Sequence, residues 1–216
     1  MLFRSQLIEE FGWFIGKRVG LTELEFSAAE LDTLMKGFRN AAEGKDSPFE
    51  LEKIGPLMDD FMQKKQAAYV AKLKTKNLSV NTDFFNKLKE NKNIVELPSG
   101  LRYEITAAGN GPSPKANETV RVHYTGKLID GTEFDSSVKR GEPAEFPLDQ
   151  VIAGWTEGIQ KMNKGGKIKL YVPPHLAYGD DGRPGIPPGA TLVFDVELLD
   201  IKPAAAPAAA PAPAKK

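Results

Sequence analysis

Histidine is scarce and cysteine absent in this chain, and neither a metal-ligand pattern nor a phosphate loop can be read from it. His123 and His175 are the only histidines, and neither has a carboxylate or second histidine at metal-ligand spacing. The chain has no cysteine, which excludes a disulfide framework and a thiolate metal site. No Gly-x-x-x-x-Gly-Lys-Ser/Thr phosphate loop occurs. Gly109-Asn110-Gly111 is a turn signal, and Gly179, Gly182 and Gly185 lack the strand–helix setting of a dinucleotide site. Neither a metal nor a cofactor is expected. Three other residues each have an ordinary structural reading. Trp155 sits between Gly154 and Thr156-Glu157-Gly158-Ile159, at the start of a short predicted helix, where a lone tryptophan is usually core. Asp135, within Phe134-Asp135-Ser136-Ser137, is good turn chemistry, and Tyr178 before Gly179 suits a loop anchor.

The elements around these residues can be read from periodicity. In Val120-Arg121-Val122-His123-Tyr124-Thr125-Gly126, apolar and polar residues alternate with period two, which predicts a half-buried strand. Val120, Val122 and Tyr124 share one face, so His123, on the other, is expected at the surface. The strand continues through Leu128-Ile129 to a tight turn at Asp130-Gly131. Lys167-Ile168-Lys169-Leu170-Tyr171-Val172 precedes Pro173-Pro174, and a loop from Ala177-Tyr178-Gly179 to Pro187-Pro188-Gly189 leads to a last strand over 191–201. Leu101-Arg102-Tyr103-Glu104-Ile105 opens this second region as a strand, after a turn at Pro98-Ser99-Gly100.

The first half is helical in pattern. Leu7, Ile8, Phe11, Phe14 and Ile15 form one apolar stripe on a helix over 3–18, with Gly12 and Gly16 beside it. Ser27 with Glu30 is a capping box that starts a second helix, whose stripe is Leu31, Leu34, Met35 and Phe38 and whose stop is Gly44. Ser47-Pro48 with Glu50 repeats the start signal, and Gly55-Pro56 is expected to break or bend the chain. A charged helix with a thin apolar stripe follows to about Lys92, with a weak segment over Asn77 to Asn81. Helices as short as those in residues 1–50 rarely bury enough surface to fold alone, so they must pair with a second copy or pack back on the rest of the chain.

In order and spacing, the motifs from 119 to 201 resemble the catalytic domain of the FKBP-type peptidyl-prolyl cis-trans isomerases. The region before them resembles the helical dimerisation region of the Mip and FkpA branch. The resemblance implies an α+β protein, in which a twisted antiparallel sheet wraps a short helix near 155–164 behind an all-α N-terminal arm. It divides the chain into a dimerisation region (1–50), a connecting helix (51–93), an isomerase domain (94–202) and a Pro/Ala tail (203–216) expected to be disordered. It also implies rotation about X-Pro peptide bonds, whose barrier is about 18–20 kcal/mol. No covalent bond breaks, so the requirement is a water-poor site that favours the twisted amide over the planar one. Trp155 would be the floor of that site, with Tyr124, Phe134, Phe146 and Phe194 as walls and Val151 and Ile152 at the rim. Ile152 would also offer its backbone N–H. Tyr178 would donate its hydroxyl to a substrate carbonyl, and Asp135 would orient polar groups opposite. Ile186 would cover the pocket edge. Two departures from the family pattern stand out. Ala144 replaces a second aromatic, and the loop Arg183-Pro184-Gly185-Ile186-Pro187-Pro188 is one residue shorter than in the smallest members. The partners implied are proline-containing protein or peptide substrates, macrolide inhibitors of the FKBP class and a second copy of the chain in a homodimer. The rival function is a holdase chaperone that captures proline-containing segments with little catalysis.

The 216 residues suffice for one ordinary domain and a smaller one, and 29 basic against 29 acidic side chains give no basic surface for nucleic acid. No run is long enough to span a bilayer, and the first 16 residues do not read as a signal peptide. The family branch implies the periplasm or cell envelope. Without an export signal in this sequence, the cytoplasm is the alternative.

Overall fold

The computed structural model describes residues 3–203, so Met1, Leu2 and most of the Pro/Ala tail lie outside the described residues. The chain forms two compact units, one ending at Lys72 and the other beginning at Leu73.

The first unit holds α1 (Arg4–Arg18), α2 (Ala28–Ala42) and the start of α3 (Leu51–Leu88). The capping box forms as read: Ser27 N–H donates to Glu30 Oε2 at 2.7 Å, and Glu30 N–H donates to Ser27 Oγ at 3.3 Å. Lys65 Nζ bonds the same carboxylate at 2.8 Å, and these bonds push the Glu30 pKa down to about 2. Lys65 also lies over the stacked rings of Phe26 and Phe61. No residue of α1 or α2 is buried, and among the described residues of this unit only Leu24 joins the buried hydrophobics.

Two expectations for this region are corrected, the start of the third helix and its break at Gly55-Pro56. The helix does not start at Ser47-Pro48. Ser47 Oγ accepts from Phe49 N–H at 3.2 Å in a local turn, and helical bonding begins with Lys53 and Ile54 donating to Glu50 O. Gly55-Pro56 does not end the helix. Pro56 lies only in its second turn, where the lost N–H costs one bond near the frayed end. The helix runs through the weak segment Asn77 to Asn81, as read. The asparagine side chains bond outward to carbonyls of another segment instead of competing for their own backbone.

In the second unit, β1 (Val95–Glu96), β2 (Arg102–Ala107), β3 (Thr119–Leu128), β4 (Glu133–Ser136), β5 (Ala144–Pro147), β6 (Lys167–Val172) and β7 (Leu192–Lys202) form one antiparallel sheet. The order is β1-β2-β6-β7-β3-β4. β5 lies on the same edge of β3 as β4 but opposite its first half: Val120 pairs with Phe146, and Gly126 with Asp135. Between them, a helical turn, α4 (Ser137–Arg140), is capped by Ser136 Oγ accepting from Lys139 N–H. The alternation in β3 holds, since Val120, Val122 and Tyr124 are buried. Leu192, Phe194, Val196 and Leu198 of β7 and Ile168, Leu170 and Val172 of β6 complete the sheet's inner face.

Against this face packs α5 (Ala153–Ile159), which ends earlier than the 155–164 helix expected. Its close approach depends on two glycines. A Cβ on Gly154 would lie 2.4 Å from Val172 Cγ1, and one on Gly158 would lie 2.6 Å from Leu170 Cδ2. Thr156 Oγ1 donates to Leu148 O at 2.5 Å, tying the helix to the preceding turn. No helix among the described residues is long and apolar enough to cross a membrane.

Candidate active site

The open end of the sheet carries a cavity of about 490 Å³ lined by Tyr124, Phe134, Asp135, Phe146, Gln150, Val151, Ile152, Trp155, Ala177, Tyr178, Arg183 and Phe194. Trp155 enters from the first turn of α5 and is 4% exposed. Three rings meet it nearly at right angles: Tyr124 at 5.2 Å, Phe194 at 5.3 Å and Phe146 at 5.5 Å between centroids. Phe134 stands edge-on to Phe194 at 5.7 Å. Edge-to-face packing suits the ring quadrupoles and fixes the indole in a box of rings. Gly126 makes room for that wall, because a Cβ there would lie 2.7 Å from the Phe134 ring and 2.9 Å from Phe194. The indole Nε1–H is buried with no partner among the described residues.

The polar side is a three-residue network. Tyr124 Oη donates to Asp135 Oδ2, and Arg140 donates to Asp135 Oδ1 and, at 3.1 Å, to Tyr124 Oη. Burial alone would raise the Asp135 pKa. The bonds from Tyr124 and Arg140, with the guanidinium charge, outweigh it and hold the carboxyl below its usual range. Burial, then the bond to Asp135, raises the Tyr124 hydroxyl above its ordinary value. Arg140 is itself raised by its bonds to Tyr124 and Asp135. The network is thus a carboxylate, a neutral phenol and a guanidinium, with no group among the three poised to titrate near neutrality.

At the mouth, the Arg183 guanidinium lies 4.4 Å from the Tyr178 ring centroid. Ile152, as N-cap of α5, accepts from Trp155 N–H at 2.9 Å and Thr156 N–H at 3.2 Å, so its own N–H stands outside the helical ladder.

Nine of the ten residues proposed from sequence line one cavity: Tyr124, Phe134, Asp135, Phe146, Val151, Ile152, Trp155, Tyr178 and Phe194. Ile186 does not. It is buried in the core, in a two-residue bridge with Arg183, so it supports the loop from beneath and leaves the pocket edge to Arg183. Asp135 is a strand residue, and Ser136 takes the capping role its neighbours suggested. His123 is half-buried, with Nδ1 3.1 Å from Ser137 Oγ, so it is less of a surface residue than the alternation implied. Sequence reading missed Gln150, Ala177, Arg183 and Arg140. A basic residue five positions after Asp135, on the turn that returns the chain to β5, was the available signal for Arg140.

Comparison with known proteins places the chain in a family. The family model described as FKBP-type peptidyl-prolyl cis-trans isomerase matches residues 111–199, and the one for the domain amino terminal to that isomerase matches 5–105. The isomerase FkpA of Escherichia coli K12 is 46% identical over 175 residues, an alignment that covers 80% of this chain and 65% of that protein. A 22 kDa FKBP-type isomerase of the same organism is 38% identical over 190 residues, covering 87% of this chain and 92% of that one. The crystal structure of FkpA from Escherichia coli matches with a TM-score of 0.77 at 41% identity, covering 93% of this chain and 95% of that chain. With both parts of the chain matched and the 22 kDa relative covered almost end to end, this chain belongs to the FKBP-type peptidyl-prolyl cis-trans isomerase family, in the FkpA- and Mip-like branch with a helical domain ahead of the isomerase domain.

Proposed function

We propose that this chain catalyses cis–trans isomerisation of X-Pro bonds in protein substrates and assists their folding as a homodimer. The observation that carries the reading is the Trp155 indole boxed by Tyr124, Phe146 and Phe194, whose rings stand nearly perpendicular to it. A flat apolar floor with perpendicular ring walls fits a pyrrolidine ring and excludes water from the amide attached to it. A twisted amide carries less charge separation than a planar one, so this surrounding favours the transition state. Phe134 completes the wall and Val151 and Ile152 form the rim. The free N–H of Ile152 and the Tyr178 hydroxyl bond substrate carbonyls, while the anionic Asp135, fixed by Tyr124 and Arg140, orients the polar side. Macrolides of the FKBP-inhibiting class occupy the same pocket and compete with peptide.

A protease-coupled assay with a short X-Pro peptide tests this reading. The protein should accelerate the slow phase, and Trp155→Ala should lose most of the acceleration while remaining folded. A folded wild-type protein with no effect on the slow phase would leave only the capture of proline-containing segments.

The dimer rests on the first unit. Phe11, Trp13 and Phe14 of α1 and Met35 and Phe38 of α2 are exposed, and a largely apolar cleft of about 890 Å³ opens between Val19, Leu24, Phe38, Phe49, Met58 and Met62. So much exposed apolar surface, with so little buried beside it, calls for a covering partner. A two-fold pairing with a second copy supplies the same stripes in return. The periplasm or cell envelope is proposed as the compartment from the resemblance to FkpA, and cell fractionation tests it.

A further inference from the structure

We infer that Asn77 and Asn81 of α3 are positioning residues for the proposed isomerase site, holding by their side-chain amides the loop that carries Tyr178 and Arg183. This rests on the isomerase reading for its consequence, though not for its geometry. Asn77 Nδ2 donates to Pro188 O at 2.7 Å, and Asn81 Nδ2 donates to Gly189 O at 2.8 Å. Lys74 Nζ adds an ion pair to Asp180 Oδ2 at 3.3 Å. Spaced by three and four residues, these side chains lie on one face of the helix. Asn81 is 7% exposed, and its Oδ1 has no partner among the described residues. The donor bond alone therefore fixes it, and that bond is shielded from water.

Two carbonyls that the loop does not bond internally are those the asparagines take. Elsewhere, the loop ties itself: Gly182 N–H to Tyr178 O, Arg183 N–H to Ile186 O, Ile186 N–H to Arg183 O and Ala190 N–H to Pro187 O. Gly189 links the helix to the site. It receives Asn81 on its carbonyl and donates its N–H to Gly179 O at 3.0 Å, next to Tyr178. One residue, Gly189, thus separates the helix from the backbone next to the pocket's tyrosine. The far end of the helix is anchored independently. Arg102 donates to Phe85 O, its guanidinium covers the Phe85 ring, and Phe84 meets Tyr171 at 6.0 Å. With that anchor, the helix is a fixed strut against which the loop is referenced. Asparagines weaken an isolated helix, and in this segment they serve the loop.

The test uses the full chain. In Asn77→Ala/Asn81→Ala, amide exchange at Gly182, Arg183, Ile186, Gly189 and Ala190 should rise by roughly tenfold or more, with the β3 and β7 amides unchanged. For an X-Pro peptide, KM should rise roughly three- to tenfold with kcat within about twofold, because Tyr178 and Arg183 are displaced in ground and transition states alike. Asn81→Asp keeps the shape and loses the donor while Asn77 keeps its bond, so loop exchange should rise above wild type but less than in the double variant. Wild-type exchange in a folded Asn81→Asp, or unchanged loop exchange and KM in the double variant, overturns the inference. Should the double variant not fold, Asn77→Ala alone, at the half-buried position, must show the same effects in smaller measure, and their absence overturns it equally. An inactive wild type whose loop still loosens in the variants would refute the isomerase reading and leave the strut standing.

Discussion

Asp135, Tyr124 and Arg140 hold one another in fixed charge states, and that decides how the site should respond to pH and to substitution. Asp135 has its pKa depressed on folding, so the stabilisation from its partners is complete above the ordinary carboxylate range and is lost as pH falls through the lowered value. Tyr124 is shifted up, so its hydroxyl stays protonated past neutrality, and no histidine lines the cavity. The rate should therefore be flat between about pH 5 and 9 and fall only in acid. A bell-shaped profile centred near neutrality would require a proton-transfer mechanism instead. Arg140→Leu removes the cation from this network, and kcat/KM should fall by roughly three- to tenfold with the acid limb moving to higher pH. Tyr178→Phe removes one hydroxyl and keeps the ring. One hydrogen bond of about 0.5–1.5 kcal/mol is at stake, so kcat/KM should fall by no more than about tenfold.

At the scale of elements, the pocket depends on how closely α5 lies on β6. Gly158→Ala places a methyl 2.6 Å from Leu170 Cδ2 and 3.3 Å from Leu101 Cδ2, both on fully buried side chains. It should destabilise the second unit by about 1–3 kcal/mol, read from the urea midpoint. In the first unit, Ser27→Ala removes the acceptor for Glu30 N–H and should cost about 1 kcal/mol.

For the whole molecule, the exposed stripes of α1 and α2 should make the full chain a dimer by light scattering. Phe14→Glu or Phe38→Glu should shift it toward monomer, because each places a charge in an apolar contact. The division at Leu73 also has a measurable consequence. A fragment starting at residue 73 retains the Arg102–Phe85 anchor and both asparagine bonds, whereas one starting at 94 loses them. The longer fragment should melt at the higher temperature, and equal melting would show that the helix adds nothing to this unit.

Period-two alternation sufficed to place Val120, Val122 and Tyr124 on the buried face of β3, because side-chain direction in a strand is a local property. The capping box at Ser27 was legible for the same reason, its partners being three residues apart. The ring box around Trp155 was reachable through family motifs, not through spacing. Arg140, Ala177 and Arg183 were missed, since each joins the site only when β3, α4 and the 177–190 loop are brought together, and Gln150 was passed over although it directly precedes Val151 and Ile152. Ile186 went the other way. Its apolar character says that it will be covered, and only the tertiary structure decides that the core covers it, bridged to Arg183 and off the cavity lining. Asn77 and Asn81 show the same limit on α3. Local propensity reads them as helix-weakening, and partners more than a hundred residues away, at Pro188 and Gly189, turn them into a support for the loop. Bonds across that separation exist only once the sheet has closed, so no window along the chain contains them.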